Sequence, residues 1–200
     1  MVSIAFHPVS IREPYTSMNA MDQDRLLMRR VAERDAAAFT ELVERYGGRL
    51  LAVARRLLGS RADAEDAVQR ALLQCYLGAA GYQSRWAVST WLYRILANVC
   101  VDEMRRRTVR ASHAQLADPA ALAVPLEGPG EAGRRIDVAR ALERVPREAR
   151  LLLALSYVDG LTHRELARIR GISVNTVKSQ LARGKAILRK ALGEEDDDGS

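Results

Sequence analysis

The sequence predicts an all-α protein of two small helical domains joined by a flexible linker, the C-terminal one a four-helix domain that contains a helix-turn-helix. Three observations predict it. Apolar residues recur at spacings of three and four along most of the 200 residues, and no segment reads as a strand. A stretch rich in Pro and Gly interrupts that period in the middle of the chain. Towards the C-terminal end, two helical patterns follow one another across the tight sequence Gly171-Ile172-Ser173.

Taken in order, residues 1–20 hold Pro8 and Pro14 and no helical period, so they read as a mobile or untranslated extension ahead of Met18 and Met21. A first domain is expected over 21–108. Its first helix runs over 22–34 through Leu26, Leu27 and Val31, and Asp35 caps a second through Phe39, Leu42, Val43, Tyr46, Leu50 and Val53 to Leu58, stopped by Gly59. Ser60 with Asp63 starts a third that reaches about Tyr76, and a fourth covers about 90–107 after a loop over 78–88. The linker is expected over 109–134, on Pro119, Pro125, Pro129, Gly128, Gly130 and Gly133. A second domain follows over 135–193, with helices over 136–145, ended near Pro146, and over 148–158, ended by Gly160. An acidic tail covers 194–200.

The end of the second domain carries the most chemistry. Thr162 and Glu165 form a capping box, Leu166 and Ile169 give the short helix an apolar face, and Gly171 stops it. Ser173 caps the next helix, in which Val177, Leu181, Gly184 and Leu188 form one stripe. The opposite face then presents Asn175, Thr176, Ser179 and Arg183, flanked by Lys178, Lys185, Arg189 and Lys190, with no acid from Ser173 to Leu192. Short polar donors framed by cations suit a major groove with phosphates on either side. A basic amphipathic helix packed in some other helical domain is the competing reading.

Composition narrows the class. With 48% hydrophobic and 28% charged residues, neither disorder nor a membrane span is indicated, and no apolar run approaches the roughly 20 residues a bilayer needs. The start lacks a secretory layout, so a cytoplasmic protein is expected. Cys75 and Cys100 form no C-x-x-C pair and read as small apolar side chains. The net charge of +6 is partitioned: 15 basic against 11 acidic residues over 21–108, hence +4, and 13 against 5 over 135–193, hence +8. Two basic modules with a near-neutral spacer suggest one polyanion touched at two places.

Both tryptophans, Trp86 and Trp91, lie within six residues, beside Arg85, Ser89, Thr90, Tyr93 and Arg94. In the helix that follows, Leu92, Ile95, Leu96 and Val99 form a buried stripe, leaving Trp91, Arg94, Asn98 and Arg105 off its centre. Aromatics with cations can receive unstacked bases, each stacking contact stabilising a single strand by about 1–3 kcal/mol. The run Arg105-Arg106-Arg107 also suits the negative end of a helix. Two readings stay open for each Trp: a core anchor in a small domain of Ala, Leu and Val, or a stacking platform.

Four segments together carry a resemblance: Asp63-Ala64-Glu65-Asp66-Ala67-Val68-Gln69, Ser89-Thr90-Trp91-Leu92-Tyr93-Arg94-Ile95, Asp159-Gly160-Leu161, and Thr176-Val177-Lys178-Ser179. In this order the chain resembles the bacterial extracytoplasmic-function sigma factors, two-domain specificity subunits of RNA polymerase, over about 21–192. The resemblance implies that Asp63, Glu65, Asp66 and Gln69 dock on the clamp helices of the largest polymerase subunit, acids there meeting a basic partner, with further contact to the flap region. It implies that the loop over 78–88 captures a flipped base of the -10 element. The melting surface then comprises Arg85, Trp86, Ser89, Thr90, Trp91, Arg94, Asn98, Arg105 and Arg106. The -35 reader comprises Ser173, Asn175, Thr176, Lys178, Ser179, Gln180, Arg183 and Lys185. An anti-sigma partner is implied as well, and no cofactor. The chain departs from the family at Arg70, where an acid is usual, at Leu72, where an aromatic is frequent, and at Gln180, commonly basic.

The expected function is therefore that of a non-enzymatic initiation factor that brings core RNA polymerase to a promoter class and helps open it. His7, His113 and His163 are scattered, and neither a Gly-rich phosphate loop followed by Lys nor an H-E-x-x-H pattern is present, so no catalytic or metal site is expected. An autonomous DNA-binding regulator leaves the Trp-rich basic helix without a task. A single-strand chaperone makes the capped duplex reader superfluous. An enzyme on nucleic acid would have only Asp63, Glu65 and Asp66 as a carboxylate cluster. The tail over 194–198, five acids without a cation, reads either as a solubilising segment or as a DNA mimic that quenches the reader.

Overall fold

The computed structural model describes the backbone of residues 18–117 and 141–192 and the side chains of 21–110 and 141–192. The expected N-terminal extension up to residue 17, most of the linker, the start of the helix at 136 and the acidic tail lie outside the described residues. Seven α-helices are labelled here: α1 Met18–Ala32, α2 Ala36–Leu58, α3 Arg61–Gly78, α4 Val88–Ala117, α5 Arg147–Asp159, α6 His163–Arg170 and α7 Val174–Leu192. A 3-10 turn, Ala79–Gly81, extends α3, and residues 141–144 are helical. The described residues divide into two compact units, the division falling within α4 near Cys100.

In the first unit α2 packs between α1 and α3. Its buried residues Ala38, Leu42, Tyr46, Leu50, Val53 and Leu57 follow helical spacing, as do Leu27, Met28 and Val31 of α1 and Ala64, Ala67, Val68, Ala71, Leu72 and Cys75 of α3. The Asp35 carboxylate accepts from the Ala37 and Ala38 N–H groups at 2.9 and 3.1 Å, which is why α2 starts where it does. Ser60 accepts from the Asp63 N–H in the same way. Between α1 and α2, Arg34 takes the left-handed conformation, φ 68°, and its guanidinium donates to the Tyr76 carbonyl at 2.8 Å while lying 4.8 Å from the Tyr76 ring centre. Those contacts hold a backbone state that a non-Gly residue rarely adopts.

A polar cluster sits inside this apolar packing. Asp24, only 6% exposed, accepts from Arg45 at 2.5 Å and from the Tyr46 hydroxyl, and Arg45 also pairs with Glu41 at 2.7 Å. A buried carboxylate persists only when paired and hydrogen-bonded in this manner.

In the second unit α5 packs on α7. Leu151, Leu152, Leu153 and Leu155 are buried, as are Leu166, Val177 and Leu181. Gly184 faces α5 at close range: a Cβ there would lie 2.8 Å from Leu153 Cδ1 and 3.3 Å from Ala149 Cβ. Arg150 donates to the Glu143 and Val145 carbonyls at 2.7 and 3.2 Å, closing the helical stretch before Pro146. The capping box of Thr162 and Glu165 is formed on both sides, and Gly171, φ 67°, makes the left-handed turn between α6 and α7 that a side chain would resist.

Two boundaries differ from expectation. Helix α1 begins at Met18 rather than Asp22. Helix α4 runs to Ala117, so 109–117, expected to open the linker, is helical; that stretch has no Pro or Gly to break it. Arg105, Arg106 and Arg107 therefore lie inside α4, away from its C-terminal dipole.

Candidate nucleic-acid interface

Helix α7 buries Val177, Leu181 and Gly184 and half-buries Leu188, which turns Asn175, Thr176, Lys178, Ser179, Arg183 and Lys185 to solvent. Ser173 acts as the cap: its hydroxyl accepts from the Thr176 N–H at 3.0 Å and exchanges a hydrogen bond with the Thr176 hydroxyl at 2.9 Å. The Ser179 hydroxyl donates to the Thr176 carbonyl at 3.0 Å, leaving its lone pairs outward. Gln180 is half-buried with Oε1 withdrawn from solvent, so it offers less to a groove than its neighbours. Among the described residues, Lys178, Arg183, Lys185 and Lys190 have no ion-pair partner; Lys185 lies 5.8 Å from the ring centre of Tyr157, which is 62% exposed. The surface is thus a strip of donors with charge that the described residues do not cancel.

The aromatic segment ahead of α4 is partly packed. Trp86 and Trp91 are half-buried: Trp91 meets Tyr82 edge-on at 5.5 Å, and the Arg85 guanidinium lies 5.4 Å from the Trp86 ring centre. The Tyr82 hydroxyl donates to the Trp86 carbonyl at 2.5 Å, and burial raises its pKa. Each Trp is thus intermediate in burial, which leaves both readings of the sequence open. Arg94, Asn98, Arg105 and Arg106 are exposed, Ser89 is half-buried, and Thr90, at 7% exposure, belongs to the packed side of the helix. Arg106 stands 4.0 Å from the buried Glu103, whose tighter partner is Arg110 at 2.5 Å. The exposed carboxylate of Asp102 lies between Asn98 and Arg105 on this face. Burial pushes the Cys75 thiol up to about 12, so it stays protonated as an apolar filler.

On α3, Asp66 and Gln69 are exposed and Asp63 and Glu65 half-buried. Glu65 pairs with Arg61 at 2.7 Å and Asp66 with Arg70 at 2.9 Å, each one helical turn away. Arg70, the departure from the family pattern, thus supplies the internal partner of Asp66. The same face continues through Leu73 and Leu77, 57% and 61% exposed. These two leucines were missed by the sequence reading, although they fall opposite the Ala64, Ala67, Ala71 and Cys75 stripe and were detectable by phase.

Models of Sigma-70 region 2 and of Sigma-70, region 4 match residues 42–110 and 135–188, the stretches that hold α3, the Trp segment and α4, and then α5 to α7. The sigma factor SigM of Mycobacterium tuberculosis is 35% identical over 159 residues, which cover 80% of this chain and 79% of SigM. The chain belongs to the ECF family of RNA polymerase sigma factors. As a sigma factor it serves promoter-specific transcription initiation with RNA polymerase. The structure of CnrH in complex with the cytosolic domain of CnrY is similar with a TM-score of 0.66 and 25% identity, over 86% of this chain and 99% of CnrH. That of RpoE from Bartonella quintana, in complex with the anti-sigma factor NepR, shares the fold at a TM-score of 0.56 and 21% identity, over 88% and 98%. In this sigma factor no described helix is long and apolar enough to cross a membrane.

Proposed function

We propose that this chain is an alternative sigma factor with three working surfaces. The outward face of α3, Asp66, Gln69, Leu73 and Leu77 with Asp63 and Glu65 at its flanks, docks on the clamp helices of core RNA polymerase. The segment from Arg85 to Trp91, with Arg94, Asn98, Arg105 and Arg106 of α4, holds the -10 strand as it opens. The exposed face of α7 reads the -35 duplex through Asn175, Thr176, Ser179 and Arg183, with Lys178 and Lys185 on phosphates. Thr90 and Gln180 support these surfaces from behind.

The domain limits follow: 21–108 for polymerase docking and opening, 135–193 for the duplex, and a connection between them. The observation that carries the reading is α7 itself, whose packed stripe and capped turn leave one uncancelled cationic face with short donors at its centre. The factor works without catalysis of its own, in the cytoplasm where polymerase acts. An anti-sigma partner fits the reading, since the similar RpoE structure holds one.

Titration of the labelled full chain into core RNA polymerase without DNA tests the proposal. Saturable one-to-one binding is expected. Absence of binding, with duplex affinity intact, would turn the chain into an autonomous DNA-binding regulator and leave α3 without its assigned role.

A further inference from the structure

The cationic face of α7 differs from those basic surfaces whose arginines are paired within the chain. Arg25, Arg30, Arg45, Arg61, Arg70 and Arg110 each have a carboxylate partner in their own chain. Lys178, Arg183, Lys185 and Lys190 have none among the described residues, and α7 holds no acid. Immediately beyond α7, after the single residue Gly193, the sequence places Glu194, Glu195, Asp196, Asp197 and Asp198 with no cation among them. The five cations of α7 are thus followed by five anions.

We propose that the acidic segment 194–198 is the internal occupant of the C-terminal half of α7's cationic face, where it competes with DNA for Lys185, Arg183, Arg189 and Lys190. The inference rests on the reading of α7 as the duplex-binding helix. Reach sets which cations take part. At 1.5 Å per residue, Arg183 lies about 14 Å back along the helix from Leu192, and Lys178 about 21 Å. A five-residue extended segment spans about 17 Å, so it covers Lys190 to Arg183 and falls short of Lys178.

The chemistry matches. A row of carboxylates spaced about 3.3 Å apart presents charge at the density of one DNA strand, without bases to be read. Tethering by one residue gives it an effective concentration in the millimolar range, comparable to or above the weak dissociation constants of purely electrostatic DNA contacts. The consequence is suppressed occupancy of arbitrary duplex, where phosphate attraction is the whole of the affinity. A promoter adds contacts from Asn175, Thr176 and Ser179 that the tail cannot imitate, and so displaces it.

The test compares three forms of the chain on a short non-promoter duplex across a range of salt. They are the natural chain, a chain ending at Gly193, and a chain with Glu194→Gln, Glu195→Gln, Asp196→Asn, Asp197→Asn and Asp198→Asn. Neither change touches the packed stripe of α7, which ends before the tail. Both altered chains are expected to bind about 3- to 10-fold tighter at low salt and with a steeper salt slope, the difference closing as the Debye length falls to about 3 Å near 1 M.

Carbodiimide treatment separates contact from long-range charge. Zero-length links from 194–198 to Lys185 or Lys190, lost when duplex is added, are expected in the natural chain. Equal affinities in all three forms, or tighter binding without any such link, would overturn the proposal while leaving α7 as the reader. Failure of every form to bind duplex would overturn that reading and the proposal with it.

Discussion

Helices α3 and α7 each turn a functional face outward, and they treat charge in opposite ways. On α3 the acids at the expected docking position are answered within the helix, Glu65 by Arg61 and Asp66 by Arg70, and what remains unanswered is apolar, Leu73 and Leu77. On α7 the stripe Val177, Leu181 and Gly184 is buried, and Lys178, Arg183, Lys185 and Lys190 have no ion-pair partner among the described residues. A face whose charges are already paired gains most by burying hydrocarbon, at about 25 cal/mol per Å² removed from water, and that gain resists salt. A face of open cations gains by releasing counterions from phosphates, and that gain falls with salt. On the proposed reading, the acidic motif of α3 frames the docking face, with the leucines at its centre.

The largest expected effect comes from placing charge at that centre. Leu73→Asp with Leu77→Asp should weaken association with core polymerase by about 2–4 kcal/mol, the range of interface hot spots, and leave duplex binding unchanged. Equilibrium titration of the double variant checks both halves of the statement. Next in size, Arg183→Ala should cost about 1–3 kcal/mol on duplex DNA and reduce the magnitude of its salt slope by up to about one unit, with polymerase affinity intact. A variant that damaged both partners equally would erase the distinction between the two faces.

Gly184→Val sharpens the comparison by acting behind α7. Overpacking against Ala149 and Leu153 should lower the stability of the second unit by about 1–3 kcal/mol, seen as an earlier thermal transition, while polymerase docking through α3 persists. The smallest effect belongs to Asp66→Ala. Exposed ion pairs contribute about 0–1 kcal/mol, so removing an acid already paired with Arg70 should change polymerase affinity by less than about fivefold in a competition titration. A large loss would restore the acids to the centre of the interface.

How far these features were legible in the sequence depends on how local their physics is. The caps at Asp35, Ser60 and Thr162 involve residues two or three positions apart and were read correctly, as were the stripe of α7 and the turn at Gly171. The extent of α4 was missed, because the weak apolar period over 109–117 drew its expected end near Arg107 while the helix reaches Ala117. Asp24 was illegible: its partners Arg45 and Tyr46 lie more than twenty residues away, and an Asp on an amphipathic helix reads as solvated until the packing is known. The pairing of Asp66 with Arg70 was within reach at four residues' spacing. Arg70 was instead weighed as a departure from a family pattern, before its geometry gave it a partner.

The central claim, that one face docks by apolar contact and the other by open charge, is tested most directly by the salt dependence of two equilibria measured on the same labelled full chain. On a short duplex, at about -0.9 per neutralised phosphate, four uncommitted cations set a limiting slope of log affinity against log salt near -3.6, lowered in magnitude while the acidic tail competes. On core RNA polymerase the account predicts a slope shallower than about -1, because the charges of the docking helix are already paired. A polymerase slope as steep as the duplex slope would contradict it, and would return the docking of α3 to its acids.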